Sequence, residues 1–227
     1  MNFKKTLFAM MAVTALLLSG CGSSVKTIQL TPSVSFEMVR LPNGCWFGKT
    51  EVTQAQWEAV MGENPSRFKG ADKPVENISW DDCQNFLKKL NARPEVKKSG
   101  LMLRLPTEKE WEYACRAGTT GKWRYCLLSD GKEITEDSLG EIAWFHENSR
   151  SKTHPVGHKK PNAFGLYDMH GNVWEWTQTA GGENRVYRGG CFLDKAVLCM
   201  ADRRSRINPG FRSSFLGFRL CASGRAD

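Results

Sequence analysis

The stretch Pro161-Asn-Ala-Phe-Gly-Leu-Tyr-Asp-Met-His-Gly-Asn-Val-Trp-Glu-Trp176 decides how this chain is read. Asn162, Gly165, Asp168, Gly171 and Asn172 break it every few residues, and these residue types favour turns. The same punctuation by Gly, Pro, Asn and Asp runs from Gly118 to the end, with no helical spacing of apolar residues. This half is expected to fold as short strands and long ordered loops. So much loop is unusual in a compact domain unless it is functional or held by metal ions and disulfides.

Upstream of Gly118 the pattern is different. Thr53 with Gln56 three residues on forms a capping box, which opens a helix that closes near Gly62. A second helix opens at Ser79 and puts Trp80, Cys83, Phe86, Leu87 and Leu90 on one face. A third opens at Thr107, with Glu110 completing its box and Trp111, Ala114 and Cys115 facing inward, and stops at Gly118. Phe36 to Leu41 and Leu101 to Leu105 read as short strands. No internal repeat or second domain boundary interrupts the chain.

The 227 residues are 41% hydrophobic and 25% charged, the balance of a soluble globular domain. Eight Trp and 12 Phe are ample for a core, and 8 Cys are too sparse for a small disulfide-stapled scaffold. Residues 1–20 read as an export signal. Lys4 and Lys5 precede an apolar run from Leu7 to Leu18, which is too short to span a bilayer. It ends in Leu18-Ser19-Gly20-Cys21, which resembles the lipobox of bacterial lipoproteins, so acylation of Cys21 would anchor the chain in the membrane. Residues 21–35, rich in Ser, Thr, Gly and Pro, are expected to be a tether, with the folded domain over 36–227. Gly22 after the Cys, in place of Asp, resembles outer-membrane sorting signals.

The formal net charge is +8, and the excess is late in the chain. Arg185, Arg188, Lys195, Arg203, Arg204, Arg206, Arg212, Arg219 and Arg225 face only Glu183, Asp194, Asp202 and Asp227. Export argues against nucleic acid as the partner. These arginines either form a groove for anions or peptide carboxylates, or tie irregular loops to backbone carbonyls with their five donors. Beyond Cys21 the thiols are at 45, 83, 115, 126, 191, 199 and 221, in no zinc-binding pattern, so structural disulfides with a spare thiol are expected.

The 161–176 stretch strongly resembles the hallmark of the formylglycine-generating, sulfatase-modifying-factor family. Gly48-Lys-Thr-Glu-Val-Thr53, Pro74-Val-Glu-Asn-Ile-Ser-Trp80, Leu103-Arg-Leu-Pro-Thr-Glu-Lys-Glu-Trp-Glu-Tyr-Ala-Cys-Arg-Ala-Gly118, Thr153-His-Pro-Val-Gly157, Arg188-Gly-Gly190 and Gly217-Phe-Arg-Leu220 follow in the family's order. The resemblance implies an α+β fold of the C-type-lectin-like kind. It does not by itself imply catalysis, because the family holds copper oxidases, iron-dependent relatives and members without known chemistry.

The oxidases hold Cu(I) between two cysteines in a Cys-x4-Cys spacing after the Arg-Gly-Gly motif, with soft thiolates as ligands. Here Asp194 falls where the first ligand would be, Cys191 stands in place of a Ser, and Cys199 aligns beyond the second ligand. Cys191 and Cys199 are the copper candidates this chain offers. An iron site is not expected, because Pro155 and Gly157 forbid a helix that would pair His154 with His158. For calcium, the resemblance implies Asp168, Gly171, Val173 and Glu175 as ligands, hard oxygens on a tight glycine turn. It also implies a Cys115–Cys221 disulfide and, more remotely, Cys126 with Cys199.

The expected function is therefore a lipid-anchored binding or accessory module, with Trp144, Trp174, Trp176, Arg188 and Arg204 lining a groove for a peptide or protein. At least Trp174 or Trp176 is expected to be buried instead. The alternative is a copper-dependent oxidase that converts Cys in sulfatases or other exported peptides to formylglycine. Acid/base, Ser-His-Asp and phosphate-loop motifs are lacking.

Overall fold

The computed structural model describes residues 24–119 and 125–224, so the export signal and Cys21 lie outside the described residues. All three expected helices form, and for local reasons. Thr53, Ser79 and Thr107 each accept a hydrogen bond from the third residue of the helix they open, and each third residue returns one to the cap backbone. These caps begin α1 (Gln54–Met61), α2 (Trp80–Ala92) and α4 (Glu108–Arg116). Gly62 ends α1 at φ +85, a left-handed conformation that glycine adopts without strain. A short helix that the sequence reading omitted, α3 (Pro94–Lys98), follows α2 and starts on its proline.

Two sheets carry the rest. The first has the order β1-β2-β3-β9-β4, from Val25–Thr31, Val34–Arg40, Trp46–Gly48, Cys221–Gly224 and Leu101–Arg104. The last strand thus inserts between two early ones, and the two ends of the domain close the same sheet. The second sheet has the order β7-β6-β5-β8, from Arg204–Ile207, Asn184–Arg188, Trp174–Gly181 and Leu216–Phe218. Its β5–β8 pair is parallel and the others are antiparallel. Past α4 the described helical residues are single 3-10 turns at Leu139–Glu141 and Ala196–Leu198, as the punctuated sequence implied.

The expected tether is corrected from Val25 onward. β1 pairs with β2, and its Ile28 and Leu30 are buried in the main core. A strand covered on one face needs only alternate residues to be apolar, so Ile28 and Leu30 suffice amid Thr, Gln and Lys. In that core Trp57 stacks on Phe86 at 5.0 Å, and Phe218 meets both rings edge-on. A second cluster packs Trp111 and Cys115 of α4 with Phe47, Leu166, Met169 and Cys221. It joins α4 to the 161–176 turn and so places that turn between the sheets.

Candidate functional site

Asn162 anchors the turn. Its amide nitrogen donates to the Ala114 carbonyl of α4 at 2.8 Å, while its oxygen accepts from the amides of Phe164 and Leu166. Beyond it, Asp168 and Asn172 hold φ +56 and +57, left-handed backbone that Asp and Asn tolerate better than most residues. Gly171, at φ +111, packs its Cα so tightly on the Trp144 carbonyl that a Cβ would collide with it. The turn thereby drives its acids into the interior.

Three buried carboxyls gather there around one guanidinium. Glu175 accepts from Trp111 Nε1 at 2.7 Å and from Arg219 Nη2 at 2.8 Å. Arg219 also donates to the carbonyls of Gly48 and Tyr167. Glu51 accepts from the Val173 amide and from Asn172 Nδ2. Asp168 Oδ2 accepts from the Gly157 amide at 2.7 Å, and its Oδ1 is buried without a partner. Burial, reinforced by the other two acids, pushes Glu51 well above the usual carboxylate range, and burial raises Asp168 to about 6. Glu175 has both oxygens committed to Trp111 and Arg219, and the positive charge beside it is already supplied by the guanidinium. The expected calcium set of Asp168, Gly171, Val173 and Glu175 shares one turn, in which Asp168 Oδ1 has no partner while Glu175 is engaged by Trp111 and Arg219.

Next to this turn a histidine is held neutral. His170 Nδ1 lies 2.7 Å from the Cys199 carbonyl, which can only accept, so that nitrogen carries the proton. Nε2 is then free to accept from the Cys115 thiol at 3.4 Å. Burial lowers His170 to about 4.

The surface of the second sheet carries an open cleft of about 400 Å³. Trp174, Tyr187 and Ser205, one from each of β5, β6 and β7, form its floor. The loop from Cys191 to Leu198 makes one wall and Phe215 another, with Arg203 and Arg204 at the rim. Trp174 Nε1 donates to Asp194 Oδ2 at 2.7 Å, and the Cys191 amide donates to the same oxygen at 2.9 Å, so this acid braces the wall. Leu193 and Leu198 project from it, 47% and 42% exposed, a large apolar area for a free surface.

Of the five expected groove residues, Trp174 and Arg204 line this cleft. Trp176 is fully buried in the core and donates to the Ile78 carbonyl. Arg188 is fully buried as well, donating to the carbonyls of Ala201, Asp202 and Arg203 and to Glu112. Trp144 lies outside the cleft, stacked on His154 at 3.9 Å under Lys159. Tyr187, Leu193, Leu198, Ser205 and Phe215 were missed. Leu193 and Leu198 sit in a loop in which six of the eight residues Cys191–Leu198 are apolar, so nothing in the sequence marked them as exposed.

With this geometry in view, comparison with known proteins is specific. Residues 19–223 match the model of the sulfatase-modifying factor enzyme 1-like domain. The chain belongs to that family. It is 33% identical over 190 residues to the chaperone protein LppX of Paenibacillus barcinonensis, covering 64% of this chain and 68% of the relative. It is 30% identical over 196 residues to mouse formylglycine-generating enzyme, covering 75% of this chain and 50% of the enzyme. To bovine inactive C-alpha-formylglycine-generating enzyme 2 it is 32% identical over 189 residues, covering 76% and 58%. The chain thus spans only about half the length of these last two relatives. Among solved structures, Treponema denticola variable protein 1 superposes with a TM-score of 0.73 at 31% identity, covering 87% of this chain and 98% of that one.

For a member of the sulfatase-modifying factor family, the cysteines bear most directly on chemistry. All seven described cysteines are free thiols, so the expected Cys115–Cys221 and Cys126–Cys199 bridges are not made. Cys115 faces His170 instead, and Cys221 lies on β9 beside Cys45 and Arg104. Cys191 and Cys199 do come together: Cys199 Sγ sits against Gly190, where an added Cβ would be 2.6 Å away, and accepts from the Cys191 amide. Burial pushes both thiols far above the ordinary thiol range.

Proposed function

We propose that this chain is an exported, lipid-anchored binding or accessory module built on a formylglycine-generating-enzyme-like domain, with the cleft on the second sheet as its site for a peptide or protein. The observation that carries this reading is the cleft itself, which combines aromatic floor, exposed leucines and arginine rim with no ionised nucleophile or acid/base pair. Aromatic and Arg side chains anchor partner chains at modest entropic cost. Relatives named a chaperone and an inactive enzyme support a role without oxidation.

A copper-dependent oxidase is the second reading, because Cys191 and Cys199 meet at the cleft wall. Against it, both sulfurs are buried and already accept from backbone amides, and the Cys-x4-Cys spacing is absent. One experiment separates the two. The chain, reduced and loaded with Cu(I), is mixed with oxygen and a Cys-containing sulfatase-type peptide and followed by mass spectrometry, while a peptide array is probed with wild type and Leu198→Asp. We expect no aldehyde and array binding that Leu198→Asp abolishes. Aldehyde that vanishes in Cys191→Ala or Cys199→Ala would replace this reading with the oxidase.

A further inference from the structure

The cleft opens onto a free sheet edge. β7 is the outermost strand of its sheet and pairs only with β6, in the register Arg185↔Ile207 to Arg188↔Arg204. Among the described residues no backbone hydrogen bond reaches β7 from its other side. Half of the peptide groups of an edge strand point away from its partner, and they form a ready template for another extended chain. β7 is short and bears Arg204 and Arg206, a charge pattern that discourages pairing between copies of this chain.

Alternation along β7 sorts its side chains. Ser205 lies opposite Tyr187 and therefore shares the face that holds Tyr187 and Trp174, whereas Arg204 and Arg206 belong to the other face. A second hollow of about 260 Å³ runs along Arg204, Ser205 and Arg206. Two acids lie near this edge. Asp194 is braced by Trp174 and Cys191, and Glu108 engages Arg204 in a pair that leaves the arginine 56% exposed. Arg206 is exposed and makes no ion pair among the described residues. A strand laid on this edge would meet arginines with every second side chain and the aromatic cleft with those between.

We propose that the site takes an extended peptide of alternating acidic and apolar residues, added as a strand to β7, with carboxylates on Arg204 and Arg206 and apolar side chains in the cleft between Leu198 and Phe215. This rests on the binding-module reading and names its ligand class. Main-chain hydrogen bonds would supply affinity, and the two-residue alternation would supply specificity. An anionic polysaccharide could satisfy the arginines but has no peptide groups for the edge.

Fluorescence anisotropy with the full-length chain in detergent micelles tests this, using the labelled probe Glu-Val-Glu-Phe-Glu-Val-Glu-Val. Four competitors are its Gln counterpart, a version N-methylated at alternate amides on its bonding edge, a version with acids and apolar residues in separate blocks, and dextran sulfate. We expect the alternating acidic peptide to bind, and each altered peptide to bind at least tenfold more weakly. Arg206→Glu should weaken binding at least tenfold, and Ser205→Pro, which disrupts the edge, should abolish it. If Ser205→Pro fails to fold, the N-methylated peptide still decides the question of strand addition. Equal binding of the N-methylated or blocked peptide, or full competition by dextran sulfate, would overturn strand addition and leave an anion-binding cleft. Equal binding of the Gln peptide would overturn the acidic ligand while leaving the cleft a binding site. If no probe binds but the array shows Leu198→Asp-sensitive binding to other peptides, this ligand class is wrong and the module reading survives. If the array is also blank, both fail.

Discussion

Arg188 and Arg204 lie directly opposite each other on neighbouring strands, share Glu108 as an acidic neighbour, and do different work. The Arg188 side chain is 1% exposed and spends its donors on three carbonyls and Glu112, whereas that of Arg204 is 56% exposed and rims the cleft. The same contrast separates the interior around Arg219 from the surface around Arg206. One strand step outward takes an arginine from a structural cross-link to a ligand-binding candidate. Burial, which the residue type does not encode, makes the assignment.

The contrast can be broken most forcefully at Arg219. Arg219→Leu leaves Glu175 buried with only the Trp111 N–H, and breaking a buried pair from one side costs about 3–5 kcal/mol. Urea denaturation should show a loss of that size, and a loss below about 1 kcal/mol would mean that the interior reorganises around another cation.

Acid should weaken the same interior through His170. Its folded pKa of about 4 lies below the ordinary value of 6.5, so on acidification the unfolded chain takes up a proton first. Stability is therefore full above pH 6.5 and falls as pH drops towards 4, by ~3 kcal/mol at most for this group. Asp168, raised to about 6, works in the opposite direction, because its ionisation costs stability as pH rises from 3.8 to 6. His170→Gln should remove the acid loss and expose the Asp168 trend, seen as unfolding free energy that increases on going from pH 6 to pH 5. A variant that still loses stability there would place the acid sensitivity elsewhere.

Smaller effects calibrate the comparison. Thr107→Ala removes one cap of α4, the helix that carries Trp111, Glu108 and Glu112 to both arginine environments, and should cost about 1 kcal/mol by thermal melting. Arg206→Gln should stay within about 0.5 kcal/mol of wild type, since the side chain is exposed and makes no ion pair among the described residues, while reducing the salt dependence of peptide binding. A marked loss of stability in this variant would move Arg206 into the structural class.

What could be read in advance follows from how local the interactions are. The helices at Thr53 and Thr107 were predictable because each cap is closed by a residue three positions on, and the helix at Ser79 because Cys83, Phe86, Leu87 and Leu90 recur on one face. The turn-rich second half was predictable because Asp168, Gly171 and Asn172 take positive φ. β1 was misread as tether because its apolar residues are few and alternate. Of the five groove residues, Trp174 and Arg204 line the cleft and the other three lie elsewhere, since aromatic and Arg side chains serve cores and clefts equally well. Cys115 and Cys221 belong to one buried cluster as free thiols, with Cys115 facing His170.

By itself, then, the sequence determined the helix starts, the loop-rich half and, through motifs kept in order, membership of the sulfatase-modifying factor family. Those are properties of neighbours along the chain. Only the tertiary structure decided that Arg219 answers Glu175, that Cys199 packs against Gly190 beside Cys191, and that β7 is left as an open edge beside an aromatic cleft. The partners in the Arg219 pair and across the cleft come from different elements, and burial and charge balance exist only once those elements are packed.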